Sequence, residues 1–132
     1  MRKLIAICAA AGAFAAASAG AQVGHPAKGS WLGFYGPDAD DQNRMLVVLD
    51  WKNREIVGTI NPGRNGAKIN HASIDYDTWT MTIEADMPVA GGGTEPFKAV
   101  GKIENLGSWV NRRYSGNYTL GDQSGTFRLT LN

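Results

Sequence analysis

The feature that most constrains the fold is a run of about eight short segments between Gly29 and Leu131, most of which alternate apolar and polar residues. In residues 79–85 the odd positions are apolar and the even positions polar, so that successive side chains point to opposite faces of a strand. Turn-forming residues separate the segments, which is typical of strands rather than helices. The predicted strands are 30–35, 44–52, 55–61, 67–74, 79–86, 97–104, 113–119 and 125–131.

Most connections between these segments are short, which favours antiparallel neighbours in an all-β meander. Such a meander ends either as a closed barrel or as a two-sheet sandwich, and closure removes both exposed edges. Glycines inside strands cost stability unless the strands bend or approach closely, as in a small, strongly coiled barrel. The closed barrel is therefore favoured over the sandwich by Gly33, Gly58, Gly101 and Gly116.

The N-terminus has the pattern of a bacterial signal peptide. Arg2 and Lys3 precede an apolar, Ala-rich stretch over 4–17, and small residues follow. The sequence predicts a signal peptide over 1–21, cleaved near Ala19 to Ala21, and a secreted or periplasmic protein. Residues 22–28 lack periodicity and are predicted to form a flexible tail, and residues 29–132 a single domain.

The numbers of basic and acidic residues indicate which classes of partner the chain can bind. The chain has 13 basic and 12 acidic residues, and removal of residues 1–21 leaves 11 and 12. No basic run is longer than Arg112-Arg113. Near-neutrality therefore disfavours nucleic acid and anionic membranes as partners, and no membrane insertion is expected after cleavage. The lone Cys8 lies in the signal peptide, so that no disulfide is expected.

The triplet Gly29-Ser30-Trp31 at the first strand, the eight-segment meander and the basic Arg128 in the last strand resemble the calycin superfamily, which includes avidins, lipocalins and small bacterial metalloprotease inhibitors. The resemblance implies that Trp31 closes one end of the barrel and that Arg128 packs across it. The layout is most similar to the avidins. Their biotin-binding polar residues have no one-by-one match, so the resemblance implies a fold and not biotin binding.

Aromatic side chains are the main candidates for ligand contact, because they offer flat apolar faces, and Tyr or Trp adds a hydrogen-bonding edge. The alternative for those in strand patterns is core packing. Trp109 lies in a Gly-Ser loop over 105–111, where contact with a partner is an equal expectation. Tyr76 belongs to the aromatic group. The candidate ligand-binding residues are Tyr35, Trp51, Asn61, Trp79, Trp109, Tyr114 and Tyr118.

Motifs for catalysis or metal binding are weak. His71 has only His25 as a histidine partner, whereas zinc needs three or four converging ligands. The acidic turn over 38–43 lacks the Gly and Glu of an EF-hand loop. No nucleophile elbow or phosphate-binding loop is present. No metal and no cofactor are predicted, and a non-enzymatic role is favoured.

Two functions follow from this architecture. The first is an exported β-barrel that binds a small apolar or amphipathic ligand, or a glycan, in its open end, since eight strands enclose room for packed side chains or one small ligand. The alternative is a protein-interaction module such as a periplasmic protease inhibitor or an envelope accessory subunit, which would use the N-terminal tail and the loop around Trp109.

Overall fold

A computed structural model describes residues 25–108 and 110–132. The predicted signal peptide over 1–21 lies outside the described residues. Eight antiparallel strands follow one another around a closed barrel, each paired with its neighbours in sequence. No helix in the described part of the chain is long and apolar enough to cross a membrane. The strands are β1 (Gly29–Asp38), β2 (Asp41–Lys52), β3 (Glu55–Ile60), β4 (Ala67–Asp75), β5 (Thr80–Pro88), β6 (Thr94–Glu104), β7 (Arg113–Leu120) and β8 (Gln123–Leu131).

The barrel closes because β1 pairs with both β2 and β8. Gly33 of β1 lies opposite Met45 of β2 and opposite Leu129 of β8. Both sides of the first strand are thus hydrogen-bonded, and the eight strands form a closed ring. The shortest pairing in that ring is between β3 and β4, at Thr59–Lys68 and Ile60–Ala67. The predicted eight-stranded antiparallel barrel is confirmed, and the sandwich alternative is wrong.

One connection between strands is shorter than the sequence predicted. The predicted loop over 87–96 contracts because Pro88 pairs with Thr94 and lengthens β5 and β6. Only residues 89–93 connect these two strands, with Gly91, Gly92 and Gly93 all at positive φ. Three consecutive glycines allow this tight return, since residues with a Cβ rarely adopt such backbone angles.

The interior of the barrel is filled by side chains. The inward-facing residues of all eight strands form one continuous hydrophobic cluster, whose largest fully buried members include Trp31, Tyr114, Tyr118 and Phe97. The hydroxyl of Tyr114 donates a hydrogen bond to the carbonyl oxygen of Met81 at 2.9 Å. This bond satisfies a polar group that lies in the middle of the core.

The N-terminal segment, residues 25–28, docks on the end of the barrel that contains Trp31. The indole Nε1 of Trp31 donates to the carbonyl oxygen of Ala27 at 2.8 Å, and Ala27 is itself buried. The guanidinium of Arg112 donates to the carbonyl oxygen of Pro26 at 2.8 Å. This part of the predicted tail is therefore held in place by Trp31 of β1 and by Arg112, which immediately precedes β7. Residues 22–24 lie outside the described residues.

The expectation that Arg128 packs across Trp31 is wrong. Phe127 and Leu129 point into the barrel, so Arg128 between them points outward, and its side chain is exposed. The buried basic residue at the Trp31 end is Arg112, which also donates to the carbonyl oxygen of Leu106 at 2.5 Å. A basic side chain thus lies at this end, but it comes from the residue that precedes β7.

Candidate functional site

The predicted aromatic residues separate into three places, and one is the core. Tyr114 is buried beside Phe127 at a ring distance of 4.7 Å and beside Trp31 at 6.2 Å. Burial raises the pKa of the Tyr114 hydroxyl. Its ring and its hydroxyl are both occupied within the barrel, which assigns Tyr114 to packing.

The second group fills the end of the barrel opposite Trp31. Tyr35, Phe97 and Tyr118 contact one another at ring distances between 5.2 and 6.2 Å. The hydroxyl of Tyr118 lies 2.6 Å from the Oε1 atom of Gln123. Burial raises the pKa of both tyrosines, and the neighbouring Asp41 contributes at Tyr118. These side chains occupy the space in which a ligand of a hollow barrel would lie.

Asn61 has a structural role in the chain's path out of β3. It adopts a positive φ of 50°, a conformation that Asn tolerates better than most residues. Its Oδ1 accepts a hydrogen bond from the backbone N–H of Leu46 at 2.9 Å, and its own N–H donates to the carbonyl of Leu46 at 2.7 Å. The amide therefore continues the β2–β3 ladder rather than facing a ligand.

The third group lies on the outside of the Trp31 end and is the best candidate for a functional site. It consists of His25, Trp51, Tyr76 and Trp79, which are called the aromatic cluster below. The His25 ring stacks on Trp51 at 4.3 Å and 17°. Tyr76 meets His25 edge-on at 5.9 Å and Trp79 at 5.4 Å. Trp51 and Trp79 were predicted from the sequence to bind a ligand, and the structure brings them to one surface.

Local backbone geometry presents these rings to solvent. Trp79 adopts a positive φ of 56°, and its carbonyl oxygen accepts the N–H of Ile103 at 2.8 Å. Tyr76 lies in the turn after β4, where the Asp75 carboxylate accepts the N–H of Asp77 at 2.9 Å. A positive φ at Trp is strained, and the surrounding ladder holds it. Strain at the half-buried Trp79, close to the exposed Tyr76, supports a functional role for this turn.

Charged and polar groups border the aromatic cluster. The Asp50 carboxylate accepts the backbone N–H of Trp51 at 2.8 Å and lies 3.6 Å from the ammonium group of Lys28. That hydrogen bond, with a contribution from Lys28, lowers the pKa of Asp50. Trp51 is 37% exposed and Tyr76 is 51% exposed. The surface thus combines flat apolar rings with a hydroxyl, an imidazole and a carboxylate, which is a composition suited to a polyhydroxylated ligand.

His25 is the member of the aromatic cluster that sequence reasoning missed, because residues 22–28 lack strand periodicity. The register of β1 and β2 is the signal that locates it. Gly29 lies opposite Leu49, so an antiparallel continuation places the preceding residues beside Trp51. The prediction of a flexible tail concealed this continuation.

The hydrogen bonds of His25 define its neutral tautomer. Nδ1 accepts the backbone N–H of Ala27 at 3.1 Å, so the proton resides on Nε2, which donates to the Tyr76 hydroxyl at 2.6 Å. Protonation would place a second proton on Nδ1 and remove the acceptor for Ala27. Partial burial lowers the pKa of His25 below its ordinary value of 6.5.

We expect acidification to loosen the N-terminal segment. Because the folded pKa of His25 is lower than its unfolded value, the unfolded chain binds more protons, and stability falls as pH drops below about 6.5 towards the folded pKa. The measurement is the melting temperature between pH 7.5 and pH 4.5 for the wild type and for His25→Gln. The variant should show a smaller decrease, since titrating carboxylates affect both proteins equally; identical pH profiles would contradict this role of His25.

Trp109 lies outside the described residues, so its contact with a partner stays a prediction. Among the described residues, no group of three His, Cys, Asp or Glu side chains converges as a metal site would require. His71 is exposed on β4, opposite Glu84 of β5.

Comparison of the chain with protein-family models, with curated proteins and with solved structures finds no match in any of the three. The eight-stranded antiparallel closed meander is consistent with a calycin-like fold. The function of this protein is therefore inferred from the side chains on its own surface.

Proposed function

We propose that this protein is an exported, non-enzymatic β-barrel that binds a glycan on the aromatic cluster outside its Trp31 end. The observation that carries the proposal is the exposure of Trp51 and Tyr76 beside Trp79 at a strained turn. Aromatic rings at a surface bury apolar area when a sugar ring stacks on them, and their polar edges hydrogen-bond to its hydroxyl groups. Export is the expectation from the N-terminal sequence.

The filled interior moves the site away from the end that the sequence favoured. Phe97 and Tyr118 are buried at that end and Tyr35 is half-buried against them. A ligand there would have to displace well-packed aromatic side chains, each of which makes many favourable contacts. The aromatic cluster needs no such displacement, because part of each exposed ring already faces solvent.

His25 has a definite place in this proposal. Its ring covers one face of Trp51 at the distance at which a flat ligand would stack. Ligand and imidazole therefore either compete for that face or enclose the same ring from both sides. Substitution of His25 distinguishes these two arrangements, since competition predicts tighter binding by His25→Ala and enclosure predicts weaker binding.

The proposal is tested by screening an array of neutral oligosaccharides and measuring affinity by calorimetry, with chitotetraose as the reference probe. We expect Trp51→Ala and Tyr76→Ala each to weaken binding of a bound glycan about tenfold, which corresponds to about 1.4 kcal/mol for one lost stacking contact.

Leu32→Ala is the matched control. Leu32 is exposed to the same 37% as Trp51 but lies on the outer wall of β1, away from the aromatic cluster. Its substitution should leave glycan affinity within about twofold. Absence of binding to every neutral glycan, or equal losses in the Leu32 and Trp51 variants, would refute the proposal.

A further inference from the structure

Folding sorts the charges of this nearly neutral chain onto two sides of the barrel wall. The outward-facing charged residues of β3, β4 and β5 are Glu55, Lys68, Asp75, Glu84 and Asp86. Those of β6, β7 and β8 are Lys98, Lys102, Glu104, Arg113 and Arg128. One side therefore carries four acidic residues and one basic residue, and the other side the reverse. The outer surface of β6, β7 and β8 is called the basic wall below.

The strand register brings the basic residues close together. Ser115 of β7 lies directly opposite Lys102 on one side and Arg128 on the other, so that these two cations are two strands apart in one row. Neighbouring strands are about 4.8 Å apart, so the row spaces the two charges by about 10 Å. Among the described residues, none of the basic side chains of this wall lies within ion-pair distance of a carboxylate, although Lys98 is opposite Glu84 and Arg113 is opposite Glu104 in the register. Lys102 and Arg128 have no acidic residue opposite them.

Between the cations the wall is rich in uncharged hydrogen-bonding groups. These side chains are Ser115, Asn117, Thr119, Ser124 and Thr126. Within the described part of the chain none of the five makes a side-chain hydrogen bond. A surface that combines unpaired cations with hydroxyl and amide groups can satisfy an anionic ligand that itself carries hydroxyl groups.

Two grooves adjoin on the basic wall. The larger has a volume of about 680 Å³ and lies between Phe34, Ser115 and Arg128, under the β1–β2 turn. The smaller, of about 340 Å³, is lined by Lys98, Asn117 and Ser124. Asp38 is the acidic residue at the rim of the larger groove. Because Thr126 lines one groove and Gly125 the other, the two grooves are neighbours on the surface of β7 and β8.

We propose that the basic wall binds an acidic polysaccharide, whose carboxylate or sulfate groups pair with Lys98, Lys102 and Arg128 while its hydroxyl groups bond to the side chains between them. This surface adjoins the aromatic cluster at Lys102, which lies opposite Thr80, the residue after Trp79. The proposal does not rest on the neutral-glycan proposal. A chain that carries an acidic group on each sugar can place alternate acidic groups on Lys102 and Arg128, since a sugar ring and one strand spacing are of similar length.

Other polyanions fit this wall less well. An acidic peptide would gain affinity by pairing with a sheet edge, but β6, β7 and β8 are each paired with a neighbouring strand on both sides. Single-stranded nucleic acid needs aromatic platforms for its bases. Phe34, which is 49% exposed, is one aromatic ring beside the larger groove, and no outward-facing residue of β6, β7 or β8 adds a second ring for a following base. Ser and Thr hydroxyl groups, which can hydrogen-bond to those of a polysaccharide, line both grooves.

The test uses the whole protein and oligogalacturonate, with dextran sulfate as the sulfated probe and uncharged dextran as the neutral one. We expect binding of one or both acidic probes in low-salt buffer and at least a tenfold loss of affinity at about 0.5 M NaCl, where charges are screened over a few ångströms. The double variant Lys102→Gln/Arg128→Gln should weaken binding at least tenfold. Lys68→Gln on the acidic side is the matched control and should change affinity less than twofold.

Several results would overturn the inference. One is the failure of both acidic probes to bind at low salt, and another is an equal loss of affinity in the Lys68 control. A third is tighter binding of oligo-thymidine or of phosphatidylglycerol vesicles than of either acidic glycan. Trp51→Ala and Tyr76→Ala separate the two proposals, because they should reduce binding of the neutral glycan and leave binding of the acidic probe unchanged.

Discussion

Replacement of Trp31 by Ala is expected to lower the free energy of unfolding by about 3–5 kcal/mol, the range for removing a large aromatic side chain from a core. Trp31 is fully buried, contacts Tyr114 and donates its indole N–H to Ala27. The substitution therefore removes apolar contacts at the end of the barrel and leaves the carbonyl oxygen of Ala27 without this donor. Urea unfolding followed by circular dichroism measures the change.

Two further variants separate packing from the hydrogen bond. Trp31→Phe retains an aromatic ring but loses the donor to Ala27, so it should cost less than Trp31→Ala and still detach the N-terminal segment. Protection of that segment from proteolysis reports the detachment. Leu32→Ala is the control, because the next side chain along β1 faces outward and is exposed. Equal stability of Trp31→Ala and Leu32→Ala would contradict the assigned role.

The second large effect is expected at Gly33, where we predict that Ala prevents normal closure of the barrel. A Cβ atom at this position would overlap the carbonyl oxygen of Arg128 and lie 2.9 Å from the Cα atom of Leu129. The obstacle is the backbone of β8, which cannot move without breaking the β1–β8 ladder. We expect a loss of at least about 3 kcal/mol, above the usual range for added volume in a core.

Gly107→Ala is the matched control for this prediction. Gly107 lies in the loop between β6 and β7, and a Cβ atom there has nothing within 4 Å. Both substitutions reduce the backbone freedom of the unfolded chain in the same way, so their difference isolates the clash. The measurement is the urea midpoint of both variants, and a Gly33→Ala protein with the wild-type midpoint would show that the two strands can separate at little cost.

The alternating pattern was sufficient to predict the sheet and its faces. Phe127, Leu129 and Leu131 point inward, as their spacing predicts. Met81, Ile83 and Ala85 follow the same rule. Trp79 departs from it, because the turn holds its backbone at a positive φ. The closed barrel followed from short connections together with glycines inside strands. Gly33 gives the physical reason, because its missing side chain allows β1 and β8 to approach.

The candidate site was only partly predictable. Trp51 and Trp79 were proposed from residue type, but Tyr114 and Tyr118 have the same chemistry and belong to the core. Residue type cannot distinguish these cases, since an aromatic side chain stabilises a core and a binding surface by the same burial of apolar area. His25 escaped prediction because a docked segment without strand alternation has no local signal.

The sequence by itself determined the strand number and the inward and outward faces of the strands, because each depends on residues close together along the chain. The tertiary structure decided which basic residue lies at the Trp31 end, where the N-terminal segment docks, that the interior is filled and that the charges separate onto two walls. Lys102 and Arg128 are 26 positions apart in the chain, and they share a row because β7 pairs with both of their strands. Contacts of this kind are set by strand register and closure, which no local pattern records.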